Sequence, residues 1–401
     1  MYIRLIGLLR GYDDCVKLTI YYLINCTDVC FFSRLGCTLH QKGVNVILFD
    51  IRKPDLEVPE GIQFVQGDVR SLSQLEDVMT GASCVFHTAS YGMSGREQLQ
   101  WQKIEAVNVK GTENIIQACI NKNVKRLVYT STFNVVFGGQ TIRNGDESLP
   151  YLPQDAFVDN YSRTKTIAEA FVLKMNNQEL KNKSGFLKTC SLRAAGIYGP
   201  GEQRHLPRIR SVLEKGMFLF IYGDNPLVQF VHVDNLISAH ILAAEALTSE
   251  KKYIAAGQPY FISDGPPVNN FDFFRPFVEG LGYKFPTLQL PLWFIYFLAF
   301  LIEWIHFFVS PVCDFQPFLT RSEVCKTGVT HYFSIEKAKR ELGFEPQPFT
   351  MQEVAEWFKN HGYGKQDKKF KRNYFIWDII FILLVAVVLL SWHSKLIGTS
   401  E

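Results

Sequence analysis

The first half of this chain alternates between short apolar runs and segments in which apolar residues recur at helical spacing. The runs indicate buried strands, and the segment 104–119 between two of them indicates a helix. Because strands that alternate with helices form parallel sheets, the pattern predicts an α/β fold with a doubly wound parallel sheet. The strand-like runs between Val44 and Ala195 are VNVILFD (44–50), FVQGDVR (64–70), SCVFHTAS (83–90), RLVYTST (126–132) and TCSLRAAGIYGPG (189–201).

The run YSRTK contains Tyr161 and Lys165, which a helix would place on one face. A tyrosine hydroxyl has a pKa of about 10 and becomes a useful base near neutral pH when a neighbouring positive charge favours the phenolate. Among 17 tyrosines, about one such spacing arises by chance. The surrounding residues therefore decide its meaning, and the preceding strand-like run ends in hydroxyl residues, the last of which is Thr132.

A hydroxyl at a strand end, followed by a loop and by a helix with tyrosine and lysine, resembles the catalytic arrangement of the extended short-chain dehydrogenase/reductases. The resemblance implies a Rossmann domain with a small C-terminal substrate domain. It also implies an oxidoreductase that moves a hydride between a nicotinamide and a CH–OH group. Four later segments are similar to the 3β-hydroxysteroid dehydrogenase/isomerase and sterol dehydrogenase group: IYGPGEQRHLPRI (197–209), FVHVDNLISAHILAAEAL (230–247), FISDGPPV (261–268) and FSIEKAKRELGFEPQP (333–348). This second resemblance implies that the substrate is a steroid or sterol.

The resemblance implies a role for each residue of the motif. Tyr161 would act as general base and acid, and Lys165 would lower its pKa and hold the nicotinamide ribose. Thr132 would hydrogen-bond the reacting oxygen, and Asn108 would belong to the proton relay. For Asn108, ordinary loop or cap chemistry is an equally good interpretation.

The end of the second predicted strand indicates which nicotinamide cofactor is used. Asp50 lies there, where a carboxylate suits the hydroxyls of an adenosine ribose and repels the additional phosphate of NADP. The cofactor prediction is therefore NAD, while the nearby Arg52 keeps NADP as an alternative. By the family resemblance, Asp68 would face the adenine, and Ala89 and Ser90 would border the ribose and the nicotinamide. Each of these three also fits plain loop or cap chemistry.

The chain departs from the family in the glycine-rich turn that binds the cofactor phosphates. Counted back from the run 44–50, those glycines fall near Thr27, Val29 and Phe32, and none of the three is glycine. Glycines there permit a tight turn and a close approach of backbone to the pyrophosphate. Two explanations stay open: residues 1–30 come from an alternative exon or a mistaken gene model, or this product has lost tight cofactor binding. The second would make the protein a membrane-held pseudoenzyme or scaffold.

Two apolar stretches late in the chain indicate a membrane protein. The segment 374–392 is close to the ~20 residues that a helix needs to cross a bilayer, and aromatic residues lie at its ends. This segment therefore predicts a C-terminal transmembrane helix on an intracellular membrane, which we expect to be the endoplasmic reticulum. The basic linker 363–373 before it predicts that the catalytic domain lies in the cytosol, because lysines and arginines beside a span tend to remain there. The stretch 292–309 contains Glu303 and His306, which are costly inside a bilayer. It therefore predicts an interfacial helix and a path for sterol entry, with a second span as the alternative.

The apolar run LTIYYLIN (18–25) can supply the first strand of the sheet. The predicted units of the chain follow from these segments. They are an atypical N-terminus (1–30), a nucleotide-binding domain (31–195) whose sheet is completed by parts of 228–265, a substrate domain (196–362), the basic linker (363–373) and the transmembrane helix (374–392).

Composition argues against several other functions. A net charge of +3 does not indicate binding to nucleic acid, and the nine scattered cysteines lack the spacing of metal ligands. The sequence has no G-x-S-x-G motif of the kind that carries the nucleophile of many hydrolases. The 33 phenylalanines and a mean hydropathy of +0.01 suit a lipid-like substrate. A nucleotide-sugar epimerase or dehydratase, which shares the extended fold, stays an alternative. The family resemblance also suggests a homodimer.

Overall fold

The computed structural model describes residues 19–23, 29–53, 60–93, 95–309, 317 and 319–365. The predicted transmembrane helix, most of the basic linker and residues 24–28 lie outside this part of the chain. The strands are β1 (Thr19–Leu23), β2 (Asn45–Asp50), β3 (Ile62–Gln66), β4 (Ala82–His87), β5 (Arg126–Thr132), β6 (Ile142–Gly145), β7 (Gln178–Glu179), β8 (Phe186–Ala194), β9 (Gly196–Tyr198), β10 (Ile221–Tyr222), β11 (Leu227–Val228), β12 (Phe230–His232), β13 (Gln258–Ile262), β14 (Val268–Asn269), β15 (Gln289–Leu290) and β16 (His331–Phe333).

The helices contribute both layers that cover the sheet and most of a second lobe. They are α1 (Val29–Gln41), α2 (Leu72–Val78), α3 (Trp101–Glu105), α4 (Gly111–Asn121), α5 (Asn160–Lys174), α6 (His205–Glu214), α7 (Val233–Ala246), α8 (Asn270–Phe273), α9 (Arg275–Gly280), α10 (Leu292–Val309), α11 (Arg321–Gly328), α12 (Glu336–Leu342) and α13 (Met351–Asn360).

Within the described residues, the main sheet has seven parallel strands in the order β3-β2-β1-β4-β5-β8-β13, and β7 pairs antiparallel with β8. The order reverses between β1 and β4, and doubly wound sheets bind ligands beyond the carboxyl ends of the strands at such a point. The predicted Rossmann fold is confirmed. The run 18–25 does supply the first strand, since β1 pairs with both β2 and β4.

Three elements differ from the sequence-based prediction. The strand predicted at 64–70 ends at Gln66, because the Asp68 carboxylate accepts a hydrogen bond from the Arg70 N–H at 2.9 Å and thereby favours a turn. The run 189–201 is divided between β8 and β9. The helix predicted at 104–119 is α3 and α4 joined by a π-helical turn, which apolar spacing does not reveal.

Helices cover both faces of the sheet and form two apolar cores. On one face, α2 and α4 bury Leu75 and Ile116 completely. On the other face, α1 and α7 bury Leu35 and Ile237. Each such side chain contributes roughly 1.5–3 kcal/mol by leaving water, so both layers are held mainly by apolar burial.

Helix α1 approaches the sheet closely at Gly36. A Cβ atom there would lie 3.0 Å from Leu48 Cδ2 and 3.7 Å from Val46 Cγ1 of β2. Gly36 therefore permits close packing of the first helix, although it lies within the helix and not in the preceding turn. The backbone at Val29 and Phe32 belongs to α1, while their side chains and Thr27 lie outside the described part of the chain.

A second lobe follows the sheet in sequence and has its own core. Leu206 of α6, Phe277 of α9, Ile295 of α10 and Val324 of α11 are fully buried in it. The last sheet strand, β13, comes from within the range 228–265, so the chain returns to the first lobe between parts of the second. The division of the chain into two domains stays a prediction.

Helix α5 presents a polar face to the sheet. Tyr161, Lys165 and Glu169 follow one another at single-turn intervals, and their exposed fractions are 6%, 1% and 0%. Asp159 precedes the helix as its N-cap and accepts a hydrogen bond from the Ser162 N–H at 2.7 Å. Because such groups gain little from apolar burial, specific polar partners must hold this face in place.

The main partner is Arg193 of β8. Its Nη2 lies 2.8 Å from Glu169 Oε1, and its Nε donates to the same oxygen at 2.9 Å. The hydroxyls of Tyr151 and Ser191 also donate to this carboxylate, at 2.8 and 2.7 Å. Burial alone would raise the pKa of Glu169, yet the charge of Arg193 and these hydrogen bonds hold that pKa below its usual range.

We predict that Glu169→Gln lowers the free energy of unfolding by roughly 3–5 kcal/mol near neutral pH, because the charge of Arg193 then stays buried without its partner. The folded-state pKa of Glu169 lies below the unfolded value, so its stabilisation is complete above about pH 4.3 and is lost as the pH falls through the folded pKa. Urea unfolding should therefore show that the difference in stability between wild type and variant becomes smaller in acid.

The control is Glu336→Gln, which removes an exposed ion pair with Lys339. It should change stability little at either pH, since exposed pairs contribute little. Equal stability of wild type and Glu169→Gln near neutral pH would contradict the assigned role of the buried pair.

Candidate active site

A cavity of about 680 Å³, mostly apolar, lies between the two lobes at the carboxyl edge of the sheet. Four residues that the sequence singled out line it together: Ser90, Thr132, Tyr161 and Lys165. The other four, Asp50, Asp68, Ala89 and Asn108, are not in its wall. The fold thus brings Thr132, Tyr161 and Lys165 together in one place, while the predicted adenosine contacts, Ala89 and the predicted relay residue Asn108 lie outside the cavity wall.

Lys165 is a buried part of the wall of this cavity. Its Nζ donates a hydrogen bond to the Thr130 carbonyl at 2.6 Å and lies 4.1 Å from the centre of the Tyr129 ring. The ammonium group carries three donors and one positive charge. Because the side chain is buried, this charge acts on the neighbouring groups and is little screened by water. Lys165 and Tyr161 lie one turn apart on α5, so their side chains leave the helix on the same face.

Two further groups behind Lys165 are neutral near pH 7. Burial raises the pKa of Tyr129 well above its usual value, and the charges of Tyr161 and Glu169 act in the same direction. Burial lowers the pKa of His87 well below its usual value, and the charge of Lys165 adds to this. Tyr129 is therefore unsuited to act as a proton acceptor, which leaves Tyr161 as the phenol in the cavity wall beside Lys165.

Thr132 ends β5 and faces the cavity. Its Oγ1 accepts hydrogen bonds from the Asn134 N–H at 3.3 Å and from the Asn134 amide nitrogen at 3.1 Å. Both bonds use the hydroxyl as an acceptor, so its O–H can still donate to an oxygen in the cavity. A donor in this position can bind a carbonyl or alkoxide oxygen of a ligand.

Asn108 lies in the π-helical turn between α3 and α4 and is 1% exposed. Its Oδ1 accepts from the Tyr91 N–H at 2.8 Å, and its Nδ2 donates to the Tyr91 carbonyl and to Thr164 Oγ1, both at 3.0 Å. Thr164 donates in turn to the Tyr161 carbonyl at 3.0 Å. Asn108 thus joins the loop after β4 to the first turn of α5, while its part in a proton relay stays a prediction.

The predicted cofactor contacts lie along the carboxyl edge of the sheet. Asp50 ends β2, is 6% exposed, and accepts from the Arg52 N–H at 2.8 Å. Asp68 follows β3 and pairs with Arg70; burial opposes this charge, but Arg70 holds the pKa of Asp68 below its usual range. Ala89 and Ser90 follow β4 and are buried.

These positions fit a nicotinamide dinucleotide at both of its ends. The carboxylate at the tip of β2 fits an adenosine ribose, and the tyrosine and lysine of α5 fit the nicotinamide end. Residues 24–28, near which the family resemblance would place the cofactor phosphates, lie outside the described residues. In the part of the chain that is described, no group of three or more His, Cys, Asp or Glu side chains could hold a metal ion.

Two site residues escaped the sequence-based analysis, Asp159 and Lys326. Lys326 of α11 lines the cavity, and its Nζ lies 5.8 Å from the centre of the Tyr161 ring and 2.6 Å from Asp159 Oδ2. Aspartate shortly before a helix is a recognisable N-cap signal, so Asp159 could have been found. Lys326 has no such local signal, since its position depends on the packing of the second lobe.

Comparison with known proteins identifies the family. A model of the 3-beta hydroxysteroid dehydrogenase/isomerase family matches residues 41–292. The chain belongs to this family. Members are oxidoreductases of the extended short-chain dehydrogenase/reductase type that act on CH–OH groups with a nicotinamide cofactor, as the sequence motifs implied.

Individual relatives support the same assignment. Short-chain dehydrogenase/reductase family 42E member 1 of Xenopus laevis is 87% identical over 362 residues, which are 90% of this chain and 94% of that protein. Sterol-4-alpha-carboxylate 3-dehydrogenase, decarboxylating, of Mus musculus is 35% identical over 320 residues, 79% of this chain and 84% of the other. Among solved structures, UDP-glucose 4-epimerase of Thermotoga maritima has a TM-score of 0.63 at 17% identity and covers 86% of this chain and 99% of its own, which shows the fold.

Proposed function

We propose that this family member is a membrane-bound NAD-dependent dehydrogenase of the 3β-hydroxyl group of a steroid or sterol. The observation that carries the proposal is that Tyr161, Lys165 and Thr132 open into a large, mostly apolar cavity. A rigid apolar substrate gains affinity from such walls, while three polar groups at one end fix where its hydroxyl binds. The name of the mouse relative, a sterol 3-dehydrogenase, supports the same substrate class.

The reaction would use the three polar groups at one end of the cavity, Tyr161, Lys165 and Thr132. A bound nicotinamide supplies the hydride acceptor. The Tyr161 oxygen takes the proton of the substrate hydroxyl, and the charge of Lys165 favours the phenolate that does so. Thr132 donates a hydrogen bond to the substrate oxygen as it becomes a carbonyl. The apolar walls would keep bulk water away from the reacting atoms. Asn108 is proposed to pass the proton out of the site through a water molecule.

The chain's own residues would also hold the cofactor. Asp50 would accept hydrogen bonds from the adenosine ribose, and Asp68 would lie towards the adenine. Ala89 and Ser90 would border the ribose and the nicotinamide, and Lys165 would bind the nicotinamide ribose. We propose NAD as the cofactor because the carboxylate of Asp50 repels a 2′-phosphate.

Replacing Tyr161 by Phe should reduce oxidation of a 3β-hydroxysteroid by about 10²–10⁴-fold, because it removes the group that accepts the proton. Affinity for NADH should be retained. The control is Tyr222→Phe, which removes a hydroxyl elsewhere in the cavity wall that bonds to Thr327 at 2.6 Å. The measurement is NADH formation by membranes that contain each variant. Unchanged turnover in Tyr161→Phe would contradict the mechanism.

Two alternatives have distinct outcomes in the same preparation. Absence of NADH binding to the wild-type chain would favour the scaffold that the missing glycines suggest. Turnover of UDP-sugars in place of steroids would favour an epimerase or dehydratase, the class of the Thermotoga structure.

Asp50→Asn should change the choice of cofactor. Removing the carboxylate should lower kcat/KM with NAD and raise it with NADP, each by about tenfold, since the repulsion of a 2′-phosphate is lost. Asp77→Asn, at an exposed acid of α2, is the control and should leave the ratio unchanged. A ratio that Asp50→Asn does not move would show that Asp50 is outside the ribose site.

Helix α10 supports attachment to a membrane. Within the described residues it is the helix that is long and apolar enough to cross a bilayer, with 17% of its residues buried. One side lines the cavity through Leu298, Leu301, Ile302 and Ile305. The remainder of its surface exposes seven aromatic residues, namely Trp293, Phe294, Tyr296, Phe297, Trp304, Phe307 and Phe308.

We propose that α10 lies in the interface of an endoplasmic reticulum membrane and does not cross it. Glu303 accepts hydrogen bonds from the Arg321 N–H and Nε, both at 2.7 Å, which ties the helix to α11 of the cytosolic domain. Aromatic residues are favoured at this depth of a bilayer, and the proposed span 374–392 would hold the domain nearby. An apolar substrate would then enter from the lipid beneath α10. A homodimer stays a prediction.

Replacing Trp293 and Phe307 together by Ser should raise KM for a steroid supplied in lipid vesicles by about tenfold, while kcat is maintained, because α10 then contacts the lipid less closely. The controls are Leu99→Ser and Phe186→Ser, which change exposed apolar residues outside α10. Steady-state kinetics of the full-length chain in vesicles gives both constants. An unchanged KM in the double variant would argue against entry at α10.

A further inference from the structure

The carboxylate of Asp159 joins the two lobes at the helix that carries Tyr161. From α5 it accepts the Ser162 N–H at 2.7 Å and the Ser162 hydroxyl at 3.0 Å. From α11 it accepts the Ser322 hydroxyl at 2.9 Å and Lys326 Nζ at 2.6 Å. One buried carboxylate therefore receives two donors from each lobe.

The position of Lys326 is itself well determined. Its side chain is 17% exposed, lines the cavity, and reaches within 5.8 Å of the Tyr161 ring centre. The same helix is held on two other sides. Glu323 pairs with Arg208 of α6 at 2.6 Å, and Arg321 pairs with Glu303 of α10 at 2.7 Å. Helix α11 is thus tied to α5, α6 and α10 at once.

The first turn of α5 depends on this arrangement. Burial opposes the charge of Asp159, and the charge of Lys326 is the largest influence that keeps the pKa of this carboxyl below its usual range. Without Lys326, a buried carboxylate would lose the charge that balances it. The cap of α5 would loosen two residues before Tyr161, in the turn that Thr164 and Asn108 support from the other side.

We propose that Lys326 is a positioning residue of the active site: through Asp159 it fixes the first turn of α5 and so the place of the Tyr161 phenol. The inference rests on the proposed function of Tyr161. Under this proposal, the Tyr161 phenol reaches its working position only when α11 of the second lobe is packed against α5. It also explains why a cation from the substrate lobe lies beside a tyrosine that already has Lys165.

The kinetic test is Lys326→Met in the full-length chain. We expect kcat to fall roughly 10- to 100-fold, since small misplacements of a reacting group have effects of that size. KM and the dissociation constant of NADH should change less than about threefold. Lys326→Arg, which keeps a cation and its donors, should restore most of kcat. The control is Lys337→Met, at a half-buried lysine of α12 that donates to Gln258 and is not in the cavity wall.

A second measurement does not depend on activity. Amide hydrogen exchange of residues 160–164 should become about tenfold faster in Lys326→Met, while the last turn of α5, at 170–174, should keep its protection. Ser322→Ala, which removes one donor and no charge, should give a smaller change in the same direction.

The outcomes separate the two claims. If wild type oxidises no steroid, the proposed function fails, and the exchange data still decide whether Lys326 fixes the first turn. Unchanged exchange at 160–164 would overturn the inference, as would full kcat in Lys326→Met. A uniform loss of protection throughout α5 and of thermal stability would also overturn it, because Lys326 would then serve the fold in general.

Discussion

The candidate site depends on the buried ion pair between Glu169 and Arg193. Helix α5 buries Ala168 and Val172 in the apolar core, but its first turns meet the sheet through polar side chains, whose placement requires specific partners. The ion pair and the two hydroxyls that also bond to Glu169 are satisfied together in one geometry, and this geometry fixes the rotation and the height of α5 on the sheet. Tyr161 and Lys165 share that face at one-turn intervals, so the direction of the reacting groups follows from a contact deeper in the core.

Much of the fold and part of the site could be predicted from sequence for simple geometric reasons. Strands of apolar and β-branched residues between helical segments determine a doubly wound sheet, and the carboxyl ends of parallel strands meet at one edge. Residues at strand ends, such as Thr132 and Ser90, must therefore lie near one another. Helical spacing then adds Tyr161 and Lys165, and the structure places all four in the wall of one cavity.

The remainder depends on long-range packing, which leaves no local pattern. Ser322 and Asp159 are 163 residues apart, and the position of α11 is determined by contacts with three other helices. The π-helical turn at Asn108 alters one turn of a helix without changing its apolar spacing noticeably. Polar partners of this kind are recognised only when the second lobe is placed on the first.

The central strand β1 shows that the N-terminal segment can complete the sheet without the glycines of a phosphate-binding turn. It pairs with β2 and β4 through main-chain hydrogen bonds along its whole length, although the glycines expected after it are absent. Backbone pairing accepts almost any β-branched or aromatic run, whereas a phosphate turn demands particular residues. A complete sheet is therefore a poor guide to the affinity of this chain for its cofactor. A few substitutions outside the hydrogen-bonded strands could abolish or restore cofactor binding and leave the sheet unchanged.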